Sequence, residues 1–254
     1  LPLAMIGLYI RTKLEDTPVF RDLEAAGESE SAATGALKDL LVRYWQPILA
    51  LFGLVIALNV INYTLLTYMP TYLQTTLSMD SASADTVAVI GQVVMMLLIP
   101  FAGALSDRIG RKPCWWISLV GIFVLAIPMY MLMAVSVPLA ILGFTVLGLI
   151  YLLQLGTISA TFPAMFPTHV RFAGMAISYN VATAAFGGTA PLINEAAIEG
   201  TGDVLFPAYY MMGAWVVGMI ALYFVIETKG VSIAGRDVPG LAEHRARQAA
   251  KTGS

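Results

Sequence analysis

Polar side chains are rare inside the long apolar stretches of this sequence, and they are the first places to look for chemistry. Inside hydrocarbon a polar group is costly unless it faces a partner or a water-filled cavity. Asn59, Asn62, Tyr63 and Thr67 follow one another at i, i+3, i+4 and i+8, a spacing that predicts one stripe of an α-helix. The stripe would either line a solute pathway or bind neighbouring helices together by hydrogen bonds, and the sequence leaves both interpretations open.

Three other apolar stretches carry polar residues of the same kind. Gln92 stands alone, whereas Tyr151 with Gln154 and Asn180 with Thr183 form pairs at i, i+3. Each is as consistent with helix packing as with solute contact, but together they indicate an amphipathic interior. We therefore predict a substrate pathway that includes seven residues: Asn59, Asn62, Tyr63, Gln92, Tyr151, Gln154 and Asn180.

Tyrosine rings in the same stretches could face a cationic ligand, because aromatic faces hold quaternary ammonium groups. The candidates are Tyr63, Tyr68, Tyr72, Tyr151 and Tyr179. Tyrosine is also common at membrane interfaces, and this second interpretation is favoured for Tyr68 and Tyr72, which lie near the end of an apolar stretch.

Catalytic chemistry has little support in the sequence. No nucleophile, base and orienting acid occur together, and His169 and His244 both lie in polar segments. HExxH and CxxC motifs are absent, and Cys114 is the single cysteine. We expect no catalytic residue, metal or cofactor, which disfavours an integral-membrane enzyme.

The elements that must position these residues are membrane-spanning helices. The 254 residues are 58% hydrophobic and 12% charged, too apolar for a water-soluble domain of this size. Six stretches reach the length of about 20 residues that a spanning helix needs. These predicted spans, numbered first to sixth, cover residues 47–73, 86–105, 114–135, 137–162, 172–194 and 206–226. The predicted fold class is an all-α membrane protein.

The sequence divides into four predicted segments. Residues 1–11 resemble the end of a seventh, truncated transmembrane helix, and residues 12–45 a polar cytoplasmic linker. Residues 46–227 would form the six-helix bundle, and residues 228–254 a polar tail.

The distribution of charge tests this topology independently. Lys and Arg concentrate in the cytoplasmic loops of membrane proteins, and all fourteen here fall before the first span or after the second, fourth and sixth. The three alternate connections carry only acids: Asp80, Asp85, Glu195, Glu199 and Asp203. The pattern predicts six membrane spans, with the basic loops and the C-terminus in the cytoplasm.

Small residues and prolines indicate where the spans approach closely or bend. Gly174, Ser178 and Ala182 recur every four residues in the fifth span. Pro100, Pro128 and Pro191 are plausible positions for helix kinks. Helix packing alone is enough to explain these small residues and prolines. A second, weaker inference is that they allow motion between helices.

The loop after the second span carries a family resemblance. Residues 103–113 read GALSDRIGRKP, which resembles the G-x-L-S-D-R-x-G-R-[RK] signature of the major facilitator superfamily. The resemblance implies a cytoplasmic gate that stabilises an outward-facing state, formed by Gly103, Asp107, Arg108, Gly110 and Arg111. Asp107 at a helix boundary could pair with a basic group or with a neighbouring helix N-terminus. The alternative is a positively charged loop that only anchors the topology.

Further runs resemble the metabolite:proton symporters of that superfamily. Residues 11–20 read RTKLEDTPVF, close to R-x-x-L-x-E-T-P-x-F but with Asp16 in place of the usual Glu. LTYMPTYL at 66–73, FPAMFPTHVR at 162–171 and FPAYY at 206–210 resemble the members that carry proline and glycine betaine. The resemblance implies the end of helix six and helices seven to twelve of a twelve-helix fold in a bacterial inner membrane. The missing N-terminal half would be a partner, and it would hold most of the proton-binding residues.

The substrate expectation combines this resemblance with the charge of the spans. No span has Lys or Arg in its interior, so a neutral or zwitterionic solute such as proline or glycine betaine fits this wall better than an anion. The expected function is proton-coupled uptake of such an osmoprotectant by alternating access. Symport of an organic acid of the 2-oxoglutarate, shikimate or citrate type stays open, as do a channel, a membrane scaffold and an inactive fragment.

Overall fold

The computed structural model describes residues 41–227 and Lys229. The expectations for residues 1–11, for the linker up to residue 40 and for the tail, apart from Lys229, lie outside the described residues. So do the RTKLEDTPVF run and His244.

Within the described residues the chain is helical almost throughout, and no strand occurs among them. Two segments are π-helical, and we call them the first and second π segments: Asn62–Thr67 and Thr183–Gly187. The α-helices, in chain order, are α1 Trp45–Ile61, α2 Met69–Thr75, α3 Ser81–Ile109, α4 Arg111–Met133, α5 Val137–Leu155, α6 Ile158–Thr161, α7 Arg171–Ala182, α8 Ala190–Thr201 and α9 Phe206–Phe224. Short 3₁₀ turns at Pro163–Met165 and Thr168–Val170 join α6 to α7.

Five helical stretches in the described part of the chain are long and apolar enough to cross a membrane. They are Trp45–Thr67, Ser81–Ile109, Arg111–Met133, Val137–Thr161 and Phe206–Phe224. The predicted fifth span, residues 172–194, corresponds to α7, the second π segment and α8, of which no piece reaches 18 residues. Only Gly188 and Thr189 interrupt the helical path from Arg171 to Thr201, so this span is an interrupted helix.

Several helices extend past the apolar stretches that predicted them. Glu195 and Glu199 lie on α8 and Asp85 lies on α3, although all three were expected in connections. Arg108 lies in the last turn of α3, which ends at Ile109, and Arg111 begins α4. Only Gly110 therefore lies between the two helices. Hydropathy locates the part of a helix that suits hydrocarbon, whereas the helix itself continues into the polar boundary.

The start of α3 has an ordinary capping arrangement outside the membrane. The Asp80 carboxylate accepts a hydrogen bond from the backbone N–H of Ser83 at 2.9 Å. Hydrogen bonds from the side chain and the backbone of Ser83 lower the pKa of Asp80.

The first span is the centre of the bundle. α1 packs against α7 and α9, while α5 packs against both α3 and α4. Leu51, Leu54, Val55 and Ala57 of α1 are fully buried. α1 is therefore surrounded by other helices, whereas α3 leaves one apolar face open.

Small residues set the distance between α1 and α9. A Cβ on Gly53 would lie 2.6 Å from the Cβ of Ala221, and one on Gly218 would lie 2.6 Å from the Cβ of Ala57. The reciprocal pairing of glycine with alanine lets the two backbones meet closely, as small residues do between membrane helices.

Candidate functional site

The two π segments lie at the same contact between the first and fifth spans. Each contains an i→i+5 backbone bond, from the Tyr68 N–H to the Tyr63 carbonyl at 2.8 Å and from the Gly188 N–H to the Thr183 carbonyl at 3.0 Å. The second π segment packs against α1, and α8 packs against the first π segment. π-helical turns inside α-helices occur often at functional sites.

A proline follows each π segment and explains why the regular helix is lost there. Pro70 has no N–H to give to the Leu66 carbonyl, and Pro191 has none for the carbonyl of Gly187. Each proline stands in the first turn of the helix that resumes the span, where it is tolerated. Pro191 is thus at the start of a new helix, whereas Pro100 and Pro128 lie inside α3 and α4.

The residues predicted to form one stripe contact different helices. Asn59 Nδ2 donates to Thr183 Oγ1 of the fifth span at 2.8 Å, and Asn62 Nδ2 donates to the Tyr151 hydroxyl of α5 at 3.1 Å. Thr67 is exposed at the end of the first π segment. The predicted stripe assumed a regular α-helix, whereas the chain is π-helical from Asn62 to Thr67, so Asn62, Tyr63 and Thr67 do not keep α-helical spacing.

Tyr63 packs on the fifth span through a glycine. A Cβ at Gly187 would lie 2.8 Å from Tyr63 Cε2 and 3.2 Å from the Cβ of Asn59. Asn194 Nδ2 donates to Thr64 Oγ1 at 3.1 Å, and both of these side chains are fully buried. Two hydrogen bonds and one close approach therefore hold the interrupted first and fifth spans together.

Tyr151 is fully buried and its hydroxyl makes two hydrogen bonds. It accepts from Asn62 Nδ2 and donates to the Leu58 carbonyl at 3.3 Å. Asn62 itself is half-buried. Tyr151 therefore joins α5 to the first span and orients Asn62.

The two glutamines of the predicted pathway also bind protein groups. Gln92 Nε2 lies 3.4 Å from the Leu66 carbonyl, the group that Pro70 leaves without its usual donor. Gln154 is fully buried, and its Nε2 donates to Ser118 Oγ of α4 at 2.9 Å. Gln92 is exposed on α3, so the two lie in different surroundings.

Asn180 lines an open groove near one end of the bundle. The groove has a volume of about 270 Å³ and is otherwise lined by Tyr179 and apolar side chains: Leu51, Phe162, Phe172, Met175 and Ala176. The Tyr179 ring lies 6.4 Å from the Phe162 ring. Asn180 and Thr183 are one helical turn apart, but only Thr183 contacts Asn59.

The candidate tyrosines differ in how far their side chains are exposed. Tyr68, Tyr72 and Tyr151 are buried, and the Tyr72 hydroxyl donates to the Val204 carbonyl at 2.9 Å. Tyr63 is half-buried and Tyr179 is exposed, so among the five candidates these two leave part of the side chain uncovered.

A second cluster surrounds the signature loop. Asp107 of α3 and Arg111 of α4 form an ion pair at 2.6 Å across the junction of the two helices. Gly110 has a φ of 107°, a conformation that glycine adopts without strain. Gly103 meets Gly156 of the α5 end, because a Cβ on Gly156 would lie 3.0 Å from the Gly103 nitrogen. Arg108 is exposed.

Glu227 caps the helix that follows this loop. Its carboxylate accepts from the backbone N–H of Arg111 at 3.1 Å and of Lys112 at 2.9 Å. A carboxylate is favourable at a helix N-terminus because it accepts from free N–H groups and meets the positive end of the helix dipole. The helix N-terminus at this loop is thus occupied by Glu227, while Asp107 binds Arg111.

Two lysines complete the contact between the last helix and the loop. Lys112 Nζ donates to the carbonyls of Tyr223 at 3.1 Å and Val225 at 2.6 Å. Lys229 Nζ donates to the Arg108 carbonyl. The contacts tie the end of α9 to the ends of α3 and α4.

Sequence reasoning missed Glu227, Thr64 and Asn194 as parts of these clusters. Glu227 is an acid at the end of the sixth span, two residues before Lys229, a signal that could have indicated a cap. Thr64 and Asn194 are polar but gave no spacing signal, because the π segments displace them from α-helical register. No cluster of three metal-ligating side chains lies in the part of the chain that the structure describes.

The known proteins that this chain resembles are described as transporters. The family model described as "Sugar (and other) transporter" matches residues 10–237. The proline/betaine transporter of Escherichia coli (strain K12) is 37% identical over 250 residues, covering 94% of this chain and 50% of that protein. The ectoine/proline transporter of Corynebacterium glutamicum is 34% identical, with 92% and 48% covered. The glycine betaine/proline/ectoine/pipecolic acid transporter of Dickeya dadantii is 35% identical, with 92% and 48% covered. The chain spans about half the length of the curated relatives it matches.

Proposed function

Because the chain belongs to the sugar and other transporter family of the major facilitator superfamily, we propose that it is the C-terminal half of a proton-coupled symporter for small zwitterionic solutes. In this fold the solute lies between two six-helix halves near the middle of the membrane, and one half supplies one wall. The relatives named above are transporters of proline, betaines and ectoine, which supports the substrate class.

One observation carries this proposal: the polar side chains of three spans meet at the level of the first π segment. Asn59 with Thr183 and Asn62 with Tyr151 lie within four residues along the first span. The first span runs from Trp45 to Thr75, so these residues are at its middle. Such a polar level inside an apolar bundle is the expected place for a solute.

The charge of this wall supports a zwitterion over an anion. The described spans carry no Lys or Arg at this level, and the basic side chains gather at the ends of the helices. Amide and hydroxyl groups can bind a carboxylate by hydrogen bonds, and the rings of Tyr63 and Tyr179 can face a cationic nitrogen.

Proton coupling is assigned to the other half of the transporter. The acids of the described spans, Asp85, Asp107, Glu195 and Glu199, lie towards the ends of those spans. A titratable group in the pathway is the usual carrier of the coupled proton. The partners of this chain are accordingly protons, the solute and the N-terminal six-helix half.

The basic end of the bundle is proposed to face the cytoplasm and to hold the gate. This gate is proposed to consist of Gly103, Asp107, Arg108, Gly110 and Arg111, where α3 meets α4, and Glu227 fixes the start of α4 beside it. The contacts among them stabilise one of the two alternating states, so their loss shifts the balance between states.

Uptake of labelled solutes tests this proposal. Cells that make the complete transporter, with this chain and the half that precedes it, are given radiolabelled proline or glycine betaine at raised osmolarity. We expect uptake of both, abolished by a proton uncoupler. Absence of uptake of either solute by folded protein in the membrane would contradict the zwitterion assignment and direct the search to organic acids.

A further inference from the structure

The Tyr151 hydroxyl determines which way the Asn62 amide points. A hydroxyl has one proton, and Tyr151 gives it to the Leu58 carbonyl. Its oxygen must then accept, so Asn62 turns its NH₂ group towards Tyr151 at 3.1 Å. The Asn62 carbonyl oxygen, Oδ1, is left on the opposite side of the amide.

No other hydrogen bond reaches the side chain of Asn62 among the residues that the structure describes, so Oδ1 has no protein partner there. Oδ1 is also accessible from outside the protein. Asn62 is half-buried, and Oδ1 is not one of the fully buried polar atoms without a hydrogen-bond partner. By contrast, Tyr151 is fully buried and both roles of its hydroxyl are occupied, so it does not itself touch a solute.

A free amide oxygen is an acceptor only, and it distinguishes ligands by whether they carry a donor. The secondary ammonium of proline has two N–H groups, whereas the quaternary nitrogen of a betaine has none. We propose that Asn62 Oδ1 accepts an N–H from the solute and sets the preference for secondary ammonium over quaternary ammonium zwitterions, with Tyr151 as its positioning residue. The inference rests on the proposed function and specifies one contact within it.

Three solutes with one skeleton isolate this contact. L-Proline, N-methylproline and N,N-dimethylproline share the ring and the carboxylate but carry two, one and no N–H groups. Their inhibition constants are measured against labelled proline uptake in the complete transporter. Because a hydrogen bond to a charged group is worth about 1.5–3 kcal/mol, wild-type protein should bind proline at least about tenfold more tightly than the dimethyl compound.

Two variants and one matched control complete the test. Asn62→Leu removes the acceptor at similar size and should bring the three inhibition constants within about twofold of one another. Tyr151→Phe frees the amide to rotate and should reduce the proline preference by several-fold through KM. Tyr130→Phe removes a hydroxyl from another buried tyrosine, one without a hydrogen-bond partner, and should leave the series unchanged.

The outcomes separate the inference from the proposed function. If wild-type protein binds the three solutes equally, or if Asn62→Leu keeps the wild-type order, the inference is wrong while the transporter assignment stands. If Tyr151→Phe behaves as Tyr130→Phe does, the positioning role is wrong. If wild-type protein transports neither proline nor glycine betaine, the proposed function is wrong and the inference falls with it. The wild-type series needs no variant, so poor folding of a variant does not remove the test.

Discussion

Single residues decide how closely the two π segments meet, and Gly187 is the clearest case. A side chain there would meet the ring of Tyr63 and the Cβ of Asn59, both of which belong to the polar level of the first span. Gly188, its neighbour, has no such contact, because a Cβ there would lie 3.8 Å from the nearest atom, the Ala184 carbonyl oxygen. The adjacent glycines therefore form a matched pair.

Gly187→Ala should reduce solute uptake and lower the free energy of unfolding in detergent by about 1–3 kcal/mol, because the added methyl group overpacks this contact. Gly188→Ala should change neither quantity, and Tyr63→Leu should restore part of the stability lost in Gly187→Ala. Uptake and unfolding are measured on four proteins: the wild type, Gly187→Ala, Gly188→Ala and the double variant Gly187→Ala with Tyr63→Leu. Equal effects of the two glycine variants would contradict the close packing of Gly187 on Tyr63.

Sequence reasoning at this scale identified polar residues by their position in apolar stretches, and this found Asn59, Asn62 and Tyr151. It did not find their geometry. The direction of Asn62 depends on a hydroxyl 89 residues away, and Gly187 is significant only because of the ring packed on it. Contacts between distant segments are not encoded in local spacing.

At the scale of the element, the interruption of the first span follows from Pro70. The Leu66 carbonyl loses its usual donor, and Gln92 of α3 lies within hydrogen-bond distance of it. Prolines of this kind are tolerated in membrane helices because neighbouring side chains bind the freed backbone groups. The first span and α3 are thereby coupled.

Pro70→Ala should make Gln92 dispensable, because alanine supplies the missing N–H. In wild-type protein, Gln92→Leu should cost about 1 kcal/mol of unfolding free energy. In the Pro70→Ala background the same change should cost close to nothing. A double-mutant cycle in detergent measures this difference, and an equal cost of Gln92→Leu in both backgrounds would refute the coupling.

The start of α4 provides a second prediction for an element. Glu227→Ala removes the carboxylate that accepts from Arg111 and Lys112, so we expect a loss of about 1 kcal/mol of stability. Glu227→Gln keeps an acceptor oxygen and should lose less. Asp85→Ala, which removes an exposed acid from α3, serves as the control. Thermal unfolding in detergent compares the three, and a Glu227→Ala protein as stable as the control would contradict the capping role.

For the whole molecule, apolar length and charge predicted the helical class and five of the six spans as long helices. The first and fifth spans were each predicted as a single helix, and both are interrupted by a π segment, because hydropathy does not register an i→i+5 turn. Pro191 marked the place, but a proline alone does not distinguish a kink from the start of a new helix. The polar level of the bundle could not be predicted from the sequence, because it depends on contacts among three spans.

The proposed orientation makes a prediction at this scale. In a Cys114→Ser background, a cysteine at exposed Ser81 should react with a membrane-impermeant maleimide added to intact cells, whereas one at exposed Arg108 should react only after the membrane is opened. Labelling measured by mass shift gives the answer directly. Reaction of the Arg108 cysteine in intact cells would mean that the orientation is the reverse of the one proposed.

The central claim is that this chain forms half of a proton-coupled transporter of small zwitterions, and the most direct test is transport in a purified system. The complete protein is reconstituted into liposomes, an inward proton gradient is imposed, and labelled proline and the internal pH are followed together. We predict proline accumulation that depends on the gradient, with protons entering alongside the solute. Proline entry that is unchanged when the gradient is collapsed, or no entry at all, would contradict the claim.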